Sequence, residues 1–193
     1  MYDSVGKVVF DRLFAIVALA ILSPLLITVA VLVRLDSRGG VFFQQQRVGR
    51  GQRLFNLYKF RTMTVDPDRV LSQTGSHSAG VTRVGRWLRR LKIDELPQLI
   101  NVLLGDMSLV GPRPCMESHL ATMDERGLKR FKVLPGLTGL AQVNGNVALT
   151  WPERQAYDAQ YVASVSFALD VRILFKTLLV VVAGEQRFKK DKS

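Results

Sequence analysis

The chain has 193 residues, of which 48% are hydrophobic and 22% are charged, and its formal net charge is +11. This composition can bury the core of one domain plus an appendage, and the charge predicts an anionic partner: nucleic acid, phospholipid or a phosphorylated small molecule. The single cysteine, Cys115, excludes an internal disulfide framework, argues against a cysteine-based zinc site and is consistent with a reducing cytosolic face.

The first predicted element is an apolar segment, residues 13–33, which has 21 positions and no charged residue. A helix needs about 20 apolar residues to cross the hydrocarbon core of a bilayer, so we predict that this segment enters a membrane. A cleaved signal peptide is the competing interpretation. We do not favour it, because the apolar core of a signal peptide is usually about 7 to 15 residues long and no small-residue cleavage site follows Val33.

Ser23-Pro24 lies in the middle of this segment. Proline lacks a backbone donor and clashes with the preceding turn, so a helix must kink or break there, and the serine hydroxyl can satisfy a freed carbonyl. Both flanks of the segment are cationic, with Lys7 and Arg12 before it and Arg34 and Arg38 after it. The positive-inside rule therefore gives no reason to place the two ends on opposite sides. A re-entrant helix-break-helix anchor over residues 1–38 explains both features, and one kinked spanning helix remains an equal alternative.

Residues 39–193 are predicted to form a catalytic domain on the cytosolic side of the membrane. Two β-rich runs, residues 41–43 and 54–60, flank Gly49-Arg50-Gly51 and predict a β-hairpin. Residues 64–80 are rich in Asp, Ser, Gly and Pro and predict a mobile loop.

Two amphipathic helices are predicted further along the chain. In residues 84–91 the apolar side chains share one face and the arginines take the other, which suits a membrane surface, although a core helix with a solvated charged side is the alternative. Residues 165–183 are apolar but contain Asp170, Arg172 and Lys176, so we predict a buried or interfacial helix there. The predicted fold is therefore mainly helical with a small β-hairpin, in the α+β class, with a re-entrant anchor and amphipathic interfacial helices.

Two adjacent carboxylates, Asp94 and Glu95, follow a basic stretch that contains no acid. The cations of that stretch are Arg83, Arg86, Arg89, Arg90 and Lys92. Because Pro97 is tolerated only in a first helical turn, Asp94 is predicted as the N-cap of a helix that stops at Gly105. A helix N-terminus favours anions, including a bound phosphate. An aspartate that merely caps a helix is the plainer interpretation, and spacing alone leaves both open.

Two further segments have features of a substrate site. Gly111-Pro112-Arg113-Pro114 holds one arginine between two prolines, so its guanidinium loses little entropy when it binds a phosphate in a bidentate manner. Residues 135–145 form a loop with several glycines. Its Thr138, Gln142 and Asn144 side chains are neutral hydrogen-bonding groups of the kind that bind a base or a sugar. Neither segment is a Walker or Rossmann fingerprint, and each alone could be a turn.

Taken together, these strings resemble the bacterial sugar transferases, the monotopic phosphoglycosyl transferases that start lipid-linked glycan assembly. The resemblance covers nearly the whole chain, including Ser23-Pro24, and its motifs are VFFQQQRVG at 41–49, YKFRTM at 58–63, DELPQL at 94–99, NVLLGDMSLVGPRP at 101–114 and PGLTG at 135–139.

The resemblance implies that a sugar 1-phosphate passes from a UDP-sugar to a polyprenol phosphate such as undecaprenyl phosphate, with release of UMP, at the cytoplasmic face of the bacterial inner membrane. It implies that Asp94 is the nucleophile that takes the phosphosugar covalently and that Glu95 helps to hold Mg²⁺. It also favours the re-entrant anchor. Other residues are expected to bind substrate, by position, charge or hydrogen-bonding capacity: Lys59, Arg61, Arg89, Pro112, Arg113, Thr138, Gln142 and Asn144. The expected partners are a UDP-sugar, polyprenol phosphate and the phospholipid bilayer, and no nucleic acid.

One departure from the family pattern lies at Asn146-Val147, where the family commonly has Arg-Asn, and it puts sugar specificity or one phosphate contact in doubt. Two other functions stay open: a non-catalytic basic module at a membrane, and a glycosyl transferase that moves sugar without its phosphate and releases UDP. The sequence does not identify the sugar, the glycan pathway or the oligomeric state, so a homo-oligomer stays open as well.

Overall fold

The structure is a computed structural model that describes residues 5–64 and 80–183. Those residues form seven α-helices and two small sheets, which confirms the predicted, mainly helical α+β class. The helices are α1 (Lys7–Asp36), α2 (Arg83–Arg90), α3 (Gln98–Leu104), α4 (Glu125–Leu128), α5 (Leu140–Val143), α6 (Trp151–Ser164) and α7 (Phe167–Ala183). The strands are β1 (Phe42–Val48), β2 (Leu54–Phe60), β3 (Ser108–Val110) and β4 (Gly136–Thr138). The loop predicted at 64–80 lies outside the described residues except for its two ends.

Among the described residues, one helix, α1, is long and apolar enough to cross a membrane. The helix continues through Pro24, whose missing N–H frees the carbonyl of Ala20. Ser23 Oγ donates to this carbonyl at 2.8 Å, which confirms the predicted role of the serine. The structure thus has a long apolar helix that could anchor in a membrane, whereas the re-entrant break stays a prediction.

One stripe of α1 packs against the rest of the molecule along the full length of the helix. Its buried residues recur about once per turn or at multiples of a turn and are Lys7, Asp11, Ala15, Val29 and Val33. The opposite face is apolar and exposed, and includes Leu13, Phe14, Val17, Ile21, Leu25, Ile27 and Val31. α7 has the same character, because it buries Ile173 and Val180 but exposes Phe175 and Leu178. Exposed apolar faces of this size suit contact with lipid.

A buried polar network joins the start of α1 to α6, α7 and β3, and we call it the Lys7 network. Lys7 Nζ lies 2.5 Å from Asp170 Oδ2 and 3.5 Å from Asp11 Oδ2. Ser108 Oγ donates to Asp11 at 2.7 Å. Tyr161 Oη donates to Asp170 Oδ1 at 2.8 Å, with the Val110 carbonyl at 2.9 Å as a second acceptor. The network therefore connects the anchor helix to the strand that leads into Arg113.

The predicted β-hairpin is confirmed, with β1 and β2 antiparallel in one register. Gly51 adopts φ +65° in the turn, a conformation that glycine takes without strain. Asn101 of α3, fully buried, fixes the hairpin to the body: its side chain accepts from Tyr58 N at 3.0 Å and donates to the Asn56 carbonyl at 2.7 Å. The hairpin is thereby held against α3, beside the predicted carboxylate pair.

The segment from α2 to α3 differs in one respect from its prediction. α2 forms where the helix was predicted, with Val84 and Leu88 packed inward and Trp87 and Leu91 exposed. Lys92 then takes a left-handed conformation, φ +58°, and a 3₁₀ turn at Ile93–Glu95 separates α2 from α3. α3 consequently begins at Gln98, so Asp94 is not the N-cap of this helix. The predicted stop at Gly105, φ +90°, is confirmed.

Candidate active site

Glu95 is the centre of a group of charged side chains from three separate elements. Lys59 Nζ, from β2, lies 2.7 Å from Glu95 Oε1. Arg113, from the segment that follows β3, contacts the same oxygen through Nη2 at 2.5 Å and Oε2 through Nη1 at 3.3 Å. The structure thus brings together Lys59, Glu95 and Arg113 as predicted, and we call them, with Asp94, the Glu95 cluster.

The two cations decide the ionisation of Glu95. Burial would raise the pKa of this carboxyl group, but the charges of Arg113 and Lys59, together with their hydrogen bonds, hold the pKa well below its usual range. Glu95 is therefore a permanent anion at neutral pH, and its two oxygens are oriented by their cationic partners.

Asp94 lies beside Glu95 but in a different environment. Asp94 is 9% exposed, and its carboxylate makes no hydrogen bond or ion pair with the described residues. Burial and the negative charge of Glu95 raise the pKa of Asp94, and the positive charges of Lys59, Arg89 and Lys92 oppose this shift. Asp94 is thus a carboxylate without a direct partner, at the edge of a cationic group.

Arg89 and Arg61 flank this site in different ways. Arg89 Nε donates to Thr62 Oγ1 at 2.9 Å, and its charge acts on Asp94. Arg61 is buried and donates to three backbone carbonyls at the end of α1, those of Val33, Ser37 and Arg38. The predicted phosphate contact of Arg89 fits its position near Asp94. Arg61 joins β2 to the anchor, and its contact with phosphate stays a prediction.

Three glycines allow the Arg113 segment to pack closely against the loop at residues 135–139. β3 and β4 are parallel, Gly111 N donates to the Thr138 carbonyl at 2.9 Å, and Gly136 N donates to the Pro112 carbonyl at 2.9 Å. A Cβ atom on Gly111, Gly136 or Gly139 would collide with backbone atoms of the opposite segment. The two predicted substrate loops are therefore in direct main-chain contact, with Pro112 in the crossing.

Thr138, Gln142 and Asn144 form a second group, which packs against α7 or binds the backbone of its own loop. Thr138 Oγ1 lies 2.7 Å from Thr177 Oγ1, and Lys176 Nζ donates to Asn144 Oδ1 at 2.6 Å. Gln142 donates to the Leu137 carbonyl, and its own carbonyl oxygen is buried without a partner in the described part of the chain. In the described part of the chain no hydrogen bond joins these three residues to Glu95, and their contact with base or sugar stays a prediction.

Arg130 is a buried residue behind the site that the sequence did not single out. It donates to the backbone carbonyl of Arg113 through Nη2, and the same atom lies 3.3 Å from Asp158 Oδ2. Its guanidinium also lies over the Trp151 ring, 5.6 Å from the centroid. Burial raises the pKa of Asp158 to about 6, against the opposing charges of Arg130 and Arg154. Arg130 and Asp158 are distant in sequence, so only the fold could bring them to Arg113.

The residues at this site fit Mg²⁺ only in combination with a substrate. No group of three potential metal-binding side chains occurs in residues 5–64 and 80–183. Mg²⁺ commonly takes one or two carboxylates and completes its octahedral shell with substrate phosphate oxygens and water. Asp94 and Glu95 supply such carboxylates. Because Lys59 and Arg113 already contact Glu95, a metal at Glu95 would need those cations to shift toward an incoming anion.

Comparison with known proteins gives matches that all belong to one family. A family model described as "Bacterial sugar transferase" matches residues 2–184. The chain is 42% identical over 179 residues to the "Uncharacterized sugar transferase EpsL" of Bacillus subtilis (strain 168), and the match covers 93% of this chain and 88% of that protein.

Two further relatives carry names that state a reaction. The chain is 43% identical to the "Undecaprenyl-phosphate glucose phosphotransferase" of Komagataeibacter xylinus, over 92% of this chain and 36% of the relative. It is 40% identical to the "UDP-glucose:undecaprenyl-phosphate glucose-1-phosphate transferase" of Xanthomonas campestris pv. campestris, over 97% of this chain and 41% of the relative. The chain therefore spans about two fifths of the length of these two relatives.

Proposed function

This chain belongs to the bacterial sugar transferase family, and on that premise we propose that it transfers a sugar 1-phosphate from a UDP-sugar to undecaprenyl phosphate or a similar polyprenol phosphate, with release of UMP. The general reaction agrees with the names of the relatives. The observation that carries the proposal is the buried carboxylate of Asp94, which makes no direct contact with a cation although it adjoins a cation-rich group. The other carboxylate of the pair, Glu95, is held by Lys59 and Arg113 and is not available to attack.

In the first step, an ionised Asp94 oxygen attacks the phosphorus that bears the sugar. A P–O bond to Asp94 forms, and the bond from this phosphorus to the bridging oxygen breaks. That oxygen leaves with the bonding electron pair as part of UMP. A carboxylate needs no base at neutral pH, and the raised pKa of Asp94 makes it more basic than an ordinary aspartate.

In the second step, a phosphate oxygen of the polyprenol phosphate attacks the same phosphorus. The bond to Asp94 breaks and its electron pair returns to the carboxylate, which regenerates the protein. No proton has to move in either step, because both attacking groups are anions. The sequence of two displacements gives ping-pong kinetics.

Lys59, Arg113 and Arg89 serve the phosphate groups, because each is close to one of the two carboxylates. Without substrate, the charges of Lys59 and Arg113 are partly compensated by Glu95. When the diphosphate enters, these cations turn toward its oxygens, and Glu95 would hold Mg²⁺. Bound Mg²⁺ supplies neutralisation of diphosphate charge and stabilises the leaving oxygen.

The anchor is proposed to be re-entrant, with both ends on the cytoplasmic side of the bacterial inner membrane. Both ends of α1 contact the same body, since Lys7 pairs with Asp170 and the Val33 carbonyl accepts from Arg61. A helix whose two ends bind one folded body on one side of a bilayer cannot have those ends on opposite sides. We expect Gly6→Cys and Gly40→Cys, each in a Cys115→Ser background, both to be labelled in inverted vesicles. Labelling of only one would mean a spanning helix.

The reaction is tested by a luminescent UMP assay with a panel of UDP-sugars, undecaprenyl phosphate and Mg²⁺. We expect UMP release with at least one UDP-sugar and none from Asp94→Asn. Glu117→Gln, which neutralises an exposed carboxylate, is the matched control and should keep the wild-type rate. Release of UDP in place of UMP would mean transfer of sugar without phosphate, and absence of both products would favour a non-catalytic membrane module.

The covalent step is tested separately by intact mass. With a UDP-sugar and no acceptor, the wild-type chain should gain the mass of one phosphosugar, and Asp94→Asn should not. An enzyme that releases UMP only when both substrates are present, and that never carries the adduct, would use direct transfer in a ternary complex.

A further inference from the structure

The backbone carbonyl of Arg113 is held by the side chain of Arg130. The peptide bond between Arg113 and Pro114 has one polar group that can form a hydrogen bond, this carbonyl, because the proline nitrogen carries no hydrogen. Arg130 Nη2 donates to the carbonyl, and a hydrogen bond from a charged guanidinium is stronger than one from a neutral donor. Arg130 therefore binds the group through which hydrogen bonding can orient this peptide bond.

Main-chain contacts fix the same segment on both sides of this peptide bond. The Pro112 carbonyl accepts from Gly136 N at 2.9 Å, and the Cys115 carbonyl accepts from Val48 N at 2.9 Å. A change of side chain leaves these main-chain groups in place. The hydrogen bond from Arg130 lies between the two contacts and is lost with its side chain, so its contribution can be removed by one substitution.

Arg130 is itself placed by contacts with α6. It is a buried residue of the 3₁₀ turn at Lys129–Lys132. The carboxylate of Asp158, from α6, lies 3.3 Å from Nη2, which is the atom that binds the Arg113 carbonyl. The ring of Trp151, the first residue of α6, lies 5.6 Å from the guanidinium carbon. The direction of the hydrogen bond to Arg113 is therefore set by α6.

The burial of the Arg130–Asp158 ion pair indicates a role beyond stability. Two charges lose their hydration when they are buried, and their attraction often does not offset this cost, so an apolar pair of similar volume is commonly as stable or more stable. An apolar side chain at position 130 would have no donor for the Arg113 carbonyl. The guanidinium thus supplies a directed contact that apolar packing could not replace.

The segment that Arg130 holds presents the Arg113 side chain to the site. The Arg113 guanidinium contacts both oxygens of Glu95, at 2.5 and 3.3 Å, and the side chain is 42% exposed. A long, partly exposed side chain has many rotamers, so its position is accurate only if its backbone is fixed. A displacement of about 1 Å, caused by a substitution away from the chemistry, can cost about 100-fold in rate.

We propose that Arg130 is a positioning residue: it fixes the main chain of Arg113, so that the Arg113 guanidinium meets the diphosphate of the donor in one geometry. This inference rests on the proposed transferase function. It gives Arg130 no contact with substrate, and the effect of Arg130 on the reaction passes through Arg113.

The test is a double-mutant cycle on kcat/KM for UMP release, with the full-length protein in detergent micelles. Arg130→Gln should lower kcat/KM about 10- to 100-fold in the wild type. In the Arg113→Gln variant it should lower kcat/KM less than about twofold, because the guanidinium that Arg130 positions is absent. Arg130→Lys keeps the charge and a donor and should recover part of the rate. Arg126→Gln removes an exposed arginine from α4 and should change kcat/KM less than about twofold.

A further variant separates positioning from folding. Arg130→Gln leaves Asp158 buried without its cation, so its Tm should fall. Asp158→Asn also breaks the ion pair, but its amide oxygen can still accept from Arg130, and the donor to the Arg113 carbonyl remains. Asp158→Asn should therefore lower the Tm as well but keep kcat/KM within about threefold of the wild type.

Two kinetic outcomes would overturn the proposal. Equal losses of kcat/KM in Arg130→Gln and Asp158→Asn, at equal loss of Tm, would mean that Arg130 acts through folding. An undiminished effect of Arg130→Gln in the Arg113→Gln variant would mean that Arg130 acts independently of Arg113.

Side-chain NMR gives a readout that does not depend on turnover, and it decides the question if Arg113→Gln has no measurable activity. With ¹⁵N-labelled arginine, the Arg113 guanidinium signal is identified by its loss in Arg113→Gln. Its order parameter should fall in Arg130→Gln and should not change in Arg126→Gln. An unchanged signal in a folded Arg130→Gln would contradict the proposal.

Failure of this inference and failure of the proposed function give different results. If the wild type releases UMP and Arg130→Gln changes neither kcat/KM nor the Arg113 signal, only the assignment of Arg130 fails. If the wild type releases no UMP from any UDP-sugar, the transferase function fails, and the Arg113 signal still shows whether Arg130 positions this side chain.

Discussion

Two groups of buried charged residues in the described part of the chain, the Glu95 cluster and the Lys7 network, differ in how completely their atoms are paired. In the Lys7 network, Asp170 accepts from Lys7 and Tyr161, and Asp11 accepts from Ser108 and Lys7. No member of the network has a buried polar side-chain atom without a partner in the described ranges. At the Glu95 cluster, by contrast, the Asp94 carboxylate makes no hydrogen bond or ion pair with the described residues.

This difference separates residues that stabilise the fold from residues that await a ligand. A fully paired buried network gains free energy from its hydrogen bonds and loses much when one member is removed. A site with unpaired charged groups is a source of instability in the free protein and gains its partners when the ligand binds. Substitutions in the two groups should therefore change different observables.

The largest expected effect is on catalysis, at Asp94. Asp94→Asn should lower UMP release by at least about 1000-fold, because the nucleophile is lost. Its Tm should be equal to or above that of the wild type, since burial and Glu95 raise the pKa of Asp94 and so disfavour its charged form. For the same reason the wild type should lose stability as the pH rises through the Asp94 titration, and the variant should lack this slope. Near-wild-type turnover would assign the chemistry to another residue.

The largest expected effect on stability is at Asp170. Asp170→Asn leaves Lys7 with Asp11 as its remaining carboxylate in the described network, and we expect a loss of about 3–5 kcal/mol in the free energy of unfolding, measured by chemical denaturation in micelles. The affinity of the folded variant for UMP should be unchanged. A stability loss below about 1 kcal/mol would contradict the view that the Lys7 network stabilises the fold.

Glu95 should combine both effects, because it is paired and also lies at the proposed site. Glu95→Gln leaves Lys59 and Arg113 without their shared anion, and we expect a loss of about 2 kcal/mol in the free energy of unfolding. This loss is smaller than for a fully buried ion pair, because the Arg113 side chain is 42% exposed. Since the pKa of Glu95 is depressed, its contribution to stability is present above its ordinary pKa of 4.5 and is lost as the pH falls below that value. Denaturation between pH 7 and pH 3 measures this: the variant should have a shallower loss on the acid side. A parallel pH profile would mean that the ion pairs contribute little.

The smallest expected effect is at Tyr161. Tyr161→Phe removes a hydroxyl that contacts Asp170 and the Val110 carbonyl but keeps the ring, so we expect a loss of about 1–2 kcal/mol in the free energy of unfolding. Its UMP release, measured with the same assay, should stay within about twofold of the wild type. A larger loss of turnover at unchanged stability would mean that the Lys7 network also controls the position of the Arg113 segment.

The features that could be predicted from the sequence are those that depend on local pattern. The apolar anchor, the hairpin on either side of Gly49-Arg50-Gly51 and the stop of α3 at Gly105 each follow from composition or from backbone preference over a few residues. The motif strings also identified the family, and the pairing of Glu95 with Lys59 and Arg113 agrees with the predicted site.

The features that could not be predicted depend on contacts between distant parts of the chain. The start of α3 was wrong because Lys92 adopts a left-handed conformation and a 3₁₀ turn intervenes, so Asp94 is presented from a turn and not from a helix cap. The sequence could not show that the Arg61 guanidinium donates to carbonyls at the end of α1, and its contact with phosphate stays a prediction. Arg130 was missed because its partners, the Arg113 carbonyl and Asp158, are remote in sequence.

Three glycines lie where the Arg113 segment crosses the loop at residues 135–139, and this crossing bears on how the substrate range of such an enzyme can diversify. Because Gly111, Gly136 and Gly139 leave no space for a Cβ atom, the separation of the two loops is set by contact between their main chains and does not depend on side-chain size. Substitution at these positions cannot widen or narrow the space between the loops without displacing Arg113. Under the proposed function, we therefore expect selectivity for one sugar over another to arise at side chains around the crossing, such as Val147, which is 69% exposed in the stretch that departs from the family pattern.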